Sequence, residues 1–129
     1  MPALFKCVED LKQHQVVQHF SGRTGRAFDW EFIIEGETVR AAVDGPMAVN
    51  DADANPSLGL QGLGIVQVAT YQVRKHLRSG ALIEVLSSFP SPPMPISLVH
   101  QHGRSAAPKM RAFTRWITGL FDGDAELWR

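Results

Sequence analysis

An α/β fold, with helices packed on the faces of a sheet, is what the order of apolar patterns in this sequence predicts. Three observations carry that expectation. Short runs rich in β-branched residues alternate with helical patterns along the chain. A single antiparallel hairpin interrupts the alternation. The last apolar pattern recurs at three-and-four spacing, the mark of a helix that needs a surface to cover.

Each element has its own local reason. Val8-Glu9-Asp10-Leu11-Lys12 reads as a short helix with acids in its first turn, where they suit the helix dipole. Gln15-Val16-Val17-Gln18-His19-Phe20 reads as a strand, and Ser21-Gly22-Arg23-Thr24-Gly25-Arg26 as a glycine-marked loop. Trp30, Phe32 and Ile34 alternate with Glu31, Ile33 and Glu35, and Glu35-Gly36-Glu37 turns the chain into a second strand over residues 38–43. Met47-Ala48-Val49-Asn50 is a short strand. Asn50, Asp51 and Asp53 are all competent caps for the helix that follows. Pro56 inside that helix would cost about 3 kcal/mol, so the expectation is Asn55 as cap and Pro56 at the first helical position.

Gly62 and Gly64 feed an apolar strand, Ile65-Val66-Gln67-Val68. Residues 70–78 read as a helix closed by Ser79-Gly80, with Val73 and Leu77 on one face and Arg74, Lys75 and Arg78 on the other. Residues 82–86 and 96–101 are expected as further strands, separated by a rigid connector containing Pro90, Pro92, Pro93 and Pro95. The final helix opens at Pro108 and carries Met110, Phe113, Trp116, Ile117, Leu120 and Phe121 on one stripe.

Length and composition bound the function. The 129 residues match one soluble domain, which usually runs to roughly 100–150. Hydrophobic residues at 44% and charged residues at 20% are too apolar for disorder. No run approaches the ~20 apolar residues of a membrane span. A single cysteine, Cys7, excludes an internal disulfide and a multi-thiolate metal site. The start lacks the charge order of a secretory signal, so the expected location is cytoplasmic, with no membrane partner.

Lys plus Arg and Asp plus Glu balance at 13 each, but not evenly along the chain. Residues 1–69 hold five cations against nine anions, whereas residues 70–121 hold seven cations against Glu84 alone. The basic stretch 74–115 therefore supports an alternative reading, a nucleic-acid-binding module. Cationic helix surfaces account for the same charges.

The candidate chemistry is sparse. Gly59-Leu60-Gln61-Gly62-Leu63-Gly64 reverses the dinucleotide-binding glycine order and precedes a strand instead of following one, so it reads as helix termination. His100 and His102 lack nearby ligands to complete a metal site. No serine sits in a nucleophile elbow, and Asp51 and Asp53 read as caps before catalytic carboxylates. No catalytic residue, metal or cofactor is assigned. Two loops suit binding better. Ser21, Thr24 and Arg23 leave one strand end, and Asn50 and Asp51 leave another. In an α/β sheet such loops border one crevice if their strands are neighbours.

Taken in order, these residues resemble a known family. Ser21-Gly-Arg-Thr-Gly-Arg, Asn50-Asp51, Gly62-Leu-Gly-Ile-Val-Gln, Leu77-Arg-Ser-Gly-Ala-Leu and Pro108-Lys-Met-Arg-Ala-Phe are similar to the effector-binding region of LysR-type bacterial transcriptional regulators. Glu9-Asp10-Leu11-Lys12-Gln13-His14 resembles the same family's opening segment. The resemblance covers about residues 8–121. It implies a type II periplasmic-binding-protein-like fold of two α/β subdomains with a ligand cleft between them. Residues 8–97 would be the second subdomain, residues 98–121 the return strand and C-terminal helix of the first, and residues 122–129 a tail. No counterpart of the family's DNA-binding helix-turn-helix is present, so DNA would be reached only through such a domain elsewhere.

The resemblance also assigns a site. Phe20, Ser21, Gly22 and Thr24 would form one wall, Asn50 and Asp51 another, with Gln67 and Val68 completing it. The effector would be a small organic acid or aromatic metabolite and the protein non-enzymatic. Pro56 departs from the family's leucine- and alanine-rich helix. The apolar stripe on the last helix implies self-association, or a helix folded onto its own subdomain.

Overall fold

Asp10 starts the first element. In a computed structural model that describes residues 5–101, 103 and 107–123, its Oδ2 accepts hydrogen bonds from the backbone N–H groups of Lys6 and Cys7, at 2.7 and 3.2 Å. The turn that follows is a 3-10 helix, Val8–Gln13. A period of three residues aligns Val8 with Leu11, and both are buried.

Next come β1 (Val17–His19), β2 (Trp30–Ile34), β3 (Glu37–Ala41) and β4 (Met47–Val49). β2 and β3 form the predicted hairpin, with Trp30 opposite Ala41 and Ile34 opposite Glu37. Its two-residue turn has φ of 53° at Glu35 and 83° at Gly36. Positive φ at both positions matches the type I′ turn that follows the strands' own twist. The alternation holds as read: Trp30 and Phe32 are buried, while β3 is almost wholly exposed.

β1 pairs in parallel with β4, from Val17 against Met47 to His19 against Val49. Its other edge meets Ile65, whose N–H donates to the Gln15 carbonyl and whose carbonyl accepts from the Val17 N–H, each at 2.9 Å. β1 is thus the middle of three parallel segments. Glycine permits this spacing on both sides. A Cβ at Gly45 would lie 2.0 Å from the Val16 carbonyl oxygen, and one at Gly64 would lie 3.0 Å from that of Gln15.

The helices are α1 (Ala54–Leu60), α2 (Thr70–Ser79) and α3 (Pro108–Gly123). α2 ends as expected, with Gly80 in the left-handed conformation at φ 75°. The start of α1 corrects the sequence reading. Asp53 is the cap residue and Pro56 is the third helical position, not the first. The first four N–H groups of a helix have no intrahelical acceptor, so a proline there forfeits nothing. Asp51 satisfies the free donors instead, its Oδ1 accepting from Asp53 N–H at 2.9 Å and Ala54 N–H at 2.8 Å.

Three expected strands are also corrected. Residues 62–68 contribute only the Ile65 bridge. Residues 82–86 form no strand; Leu86 adopts a left-handed φ of 57° and joins the core. Residues 96–101 form no strand either. β-branched and apolar composition favours a strand only where another strand supplies the hydrogen bonds. The expected single sheet is accordingly two small ones, β1–β4 and β2–β3.

The chain divides into two compact units, Met1–Pro92 and Pro93–Arg129. In the first, Val8, Leu11, Val16, Trp30, Phe32 and Leu86 make one core, with Phe5, Ile34, Ala41, Val43, Ile65 and Phe89 packed around it. In the second, α3 buries no residue. Phe113, Trp116 and Leu120 are exposed, and Met110, Ile117 and Phe121 are half-buried. Among the described residues no helix is long and apolar enough to cross a membrane.

Candidate functional site

Parallel strands deliver their carboxyl ends to one side of a sheet, and here three of them arrive together. β1 leads into Phe20 and Ser21, β4 into Asn50 and Asp51, and the Ile65 segment runs on to Gln67 and Val68. Phe20 N–H donates to the Val49 carbonyl at 2.9 Å, which locks the first two ends in register. The loops beyond them touch: a Cβ on Gly22 would lie 3.2 Å from Asn50 Nδ2. The conditional reading of the sequence, that the strands carrying these loops be neighbours, is met by β1 and β4.

The loop over residues 21–26 is held by its own polar groups. Ser21 N–H donates to the Arg26 carbonyl at 2.9 Å, and Gly25 N–H to the Ser21 carbonyl at 2.7 Å. Ser21 Oγ accepts from Thr24 N–H and Thr24 Oγ1 from Arg26 N–H, both at 3.3 Å. Gly25 takes φ 69°, a left-handed conformation that needs glycine. Ser21 and Phe20 are half-buried, whereas Gly22, Arg23, Thr24 and Arg26 face solvent.

Asn50 and Asp51 are exposed. The Asp51 carboxylate is committed to the Asp53 and Ala54 backbone donors at the start of α1. Gln72 of α2 steadies the same turn, its Nε2 donating to the Ala52 carbonyl at 3.0 Å. Val68 is half-buried. Gln67 sits at the expected strand end, but its side chain is engaged within the protein: Nε2 donates to the Glu31 carbonyl at 3.2 Å and to Ser91 Oγ at 3.0 Å.

Sequence reasoning missed Asn55, Gln72 and Ser91 as partners of this cluster. Asn55 was read as a cap, yet it is 2% exposed and its Nδ2 reaches the Gln67 carbonyl at 3.4 Å. The contact joins residues 12 apart in the chain, and no local pattern signals it. Cys7 lies elsewhere, half-buried, and hydrogen bonding to Glu9 together with desolvation pushes its thiol above the ordinary value, away from reactivity. Among the described residues no three His, Cys, Asp or Glu side chains gather to hold a metal ion. His102 of the sequence's histidine pair lies outside the described residues.

A groove of about 480 Å³ lies between the 3-10 helix and β3, lined by Val8, Leu11, Ile34, Val39, Ala41 and Val43 among others. It contains none of the strand-end residues. The basic residues of the alternative reading fall in both units, Arg74, Lys75 and Arg78 on α2 and Lys109, Arg111 and Arg115 on α3.

Comparison with known proteins bears on this arrangement. Residues 6–122 match the family model described as LysR substrate binding domain. The uncharacterized HTH-type transcriptional regulator YhjC of Escherichia coli K12 is 30% identical over 112 residues, which is 87% of this chain and 38% of that protein. The HTH-type transcriptional regulator PgrR of the same organism is 29% identical over 114 residues, 88% of this chain and 37% of that protein. The chain spans less than two fifths of the length of either relative.

Proposed function

The chain belongs to the LysR substrate-binding domain family, and from that premise we propose that it is the effector-binding part of a LysR-type bacterial transcriptional regulator. Residues 8–97 serve as the second effector subdomain, and residues 98–121 as the return segment, which is not a strand here, and the C-terminal helix of the first. The observation that supports this most is the convergence of three segment ends at Ser21–Gly22, Asn50–Asp51 and Gln67–Val68. In parallel sheets that edge is where ligands bind.

Phe20, Ser21, Gly22, Thr24, Asn50, Asp51, Gln67 and Val68 form the effector site in this reading. The walls offer an aromatic edge, two hydroxyls and an amide without a buried charge, which suits a small organic acid or aromatic metabolite. The role is regulatory and non-enzymatic, and the location cytoplasmic. In the intact regulator the effector biases how paired helix-turn-helix domains sit on an operator, in proportion to its differential affinity for the two arrangements. The exposed stripe of α3 supports self-association.

Titration of the labelled chain with benzoate and with succinate, followed by amide NMR, tests the site. Shifts should concentrate at residues 20–24, 50–51 and 67–68. Gly22→Val should abolish them, because a branched side chain meets Asn50 at the mouth, while leaving the fold intact. Saturable shifts confined to the groove beside β3 would refute the placement. Sedimentation at a series of concentrations tests association, which Trp116→Glu should weaken.

A further inference from the structure

Gln67 stands at a segment end where a wall residue is expected, yet its polar atoms link three other parts of the first unit. Its Nε2 donates to the Glu31 carbonyl in β2 and to Ser91 Oγ, at 3.2 and 3.0 Å. Its backbone carbonyl accepts from Asn55 Nδ2 at 3.4 Å. Asn55 is 2% exposed and its Oδ1 has no protein partner. The amide orientation is fixed all the same, since turning it over would set its oxygen against the Gln67 carbonyl oxygen. A long bond on one side and no protein partner on the other leave Asn55 under-satisfied, which is costly for a buried amide.

The far end of this chain of contacts has a reason to be held. Pro90-Ser91-Pro92-Pro93 offers few backbone donors, because proline has no N–H. What remains is the Pro90 carbonyl, which accepts from Ile33 N–H at 2.7 Å, and the Ser91 hydroxyl, which Gln67 engages. Both attachments lead to β2 or to Gln67, and the first unit ends at Pro92.

We propose that Gln67 is a positioning residue that couples the residue 50–55 side of the effector site to the proline segment closing the first unit, through the under-satisfied amide of Asn55. Its regulatory meaning rests on the effector reading above. The coupling itself is a property of the unliganded chain. Effector contact with the residue 50–55 turn then acts on Gln67 through Asn55, and on residues 90–91 through Gln67.

Amide hydrogen exchange of the purified, ligand-free chain tests this. Asn55→Leu keeps the bulk and removes the contact to Gln67. It should raise exchange of the Ile33 amide about two- to tenfold, the range one net hydrogen bond supplies. The Phe20 amide, bonded to Val49, should not change. In a Gln67→Met background, Asn55→Leu should no longer affect Ile33, because the link is already cut. An unchanged Ile33 amide, an equal rise in the Gln67→Met background, or a parallel rise at Phe20 would each overturn the coupling. Ser91→Ala, at the exposed end, provides a milder variant. It should shift the side-chain amide resonance of Asn55, and no shift would also overturn the proposal. Failure of benzoate or succinate to bind would leave every one of these exchange results standing, so the two readings fail separately.

Discussion

The first and second units each carry strong apolar periodicity and reach opposite outcomes. In Met1–Pro92 it closes into a core, and every buried hydrophobic residue among those described, from Val8 to Leu86, lies there. In Pro93–Arg129 the three-and-four stripe of α3 brings no residue beyond half-burial, and Met94, Ile96, Leu98 and Val99 are exposed as well. Amphipathic periodicity specifies a helix and the face it must cover. It does not supply the covering surface, which in the first unit comes from the 3-10 helix, Val16 and Leu86 packing with Trp30 and Phe32 of the hairpin.

Matched tryptophan truncations test that contrast most strongly. Trp30→Ala should cost about 3–5 kcal/mol, since it empties a packed core position. Trp116→Ala, 58% exposed, should stay within about 0.5 kcal/mol at high dilution. Urea denaturation followed by circular dichroism measures both. Equal losses would erase the distinction between the units.

Glycines should give opposite signs in the two units. Gly45→Ala drives a Cβ against the Val16 carbonyl, and backbone must move, at a cost of about 1–3 kcal/mol. Gly119 of α3 has nothing within 4 Å of an added Cβ. Gly119→Ala should therefore stabilise the helix by about 0.5–1 kcal/mol, through backbone entropy alone. Helicity by circular dichroism reads the second effect, and thermal unfolding the first. A Gly45→Ala variant as stable as the parent would mean that β1 is not closely flanked.

These particulars mark how far the sequence was legible. Wherever a pattern contained its own closing partner it read correctly: the hairpin, the Gly80 helix stop, and the α3 helix itself. Where the partner lay outside the pattern it misled. Residues 82–86 and 96–101 have strand composition and no strand beside them. At the candidate site, glycine and cap chemistry exposed the loops after β1 and β4. The inward commitments of Gln67, Asn55 and Ser91 span up to 36 residues of chain and leave no local signature.

Backbone strain adds a smaller distinction. Among the described residues, both non-glycine positions with positive φ, Glu35 and Leu86, lie in the first unit. Glu35→Asn keeps a polar turn residue better suited to the left-handed region and makes the preferred Asn-Gly pair with Gly36. A gain of about 0.5–1 kcal/mol is expected in thermal unfolding. No gain would show that the turn tolerates glutamate without strain.

Acid should separate the units last and most weakly. Asp10 accepts backbone hydrogen bonds from Lys6 and Cys7, which hold its carboxyl below the ordinary value of 3.8. A depressed native value means that the unfolded chain takes up the proton first. The contribution is therefore present above the unfolded value and is lost as pH falls through the folded one. Because Asp10 is only half-buried, the effect is a local loosening of the 3-10 helix, visible by NMR titration of the Asp10 carboxyl carbon and the Lys6 amide. Asp10→Asn should remove that acid transition and leave α3 unchanged, since its first turn contains no acid to titrate. A Lys6 amide that titrates identically in the variant would show that the 3-10 helix is held by its burial of Val8 and Leu11 and not by its carboxylate.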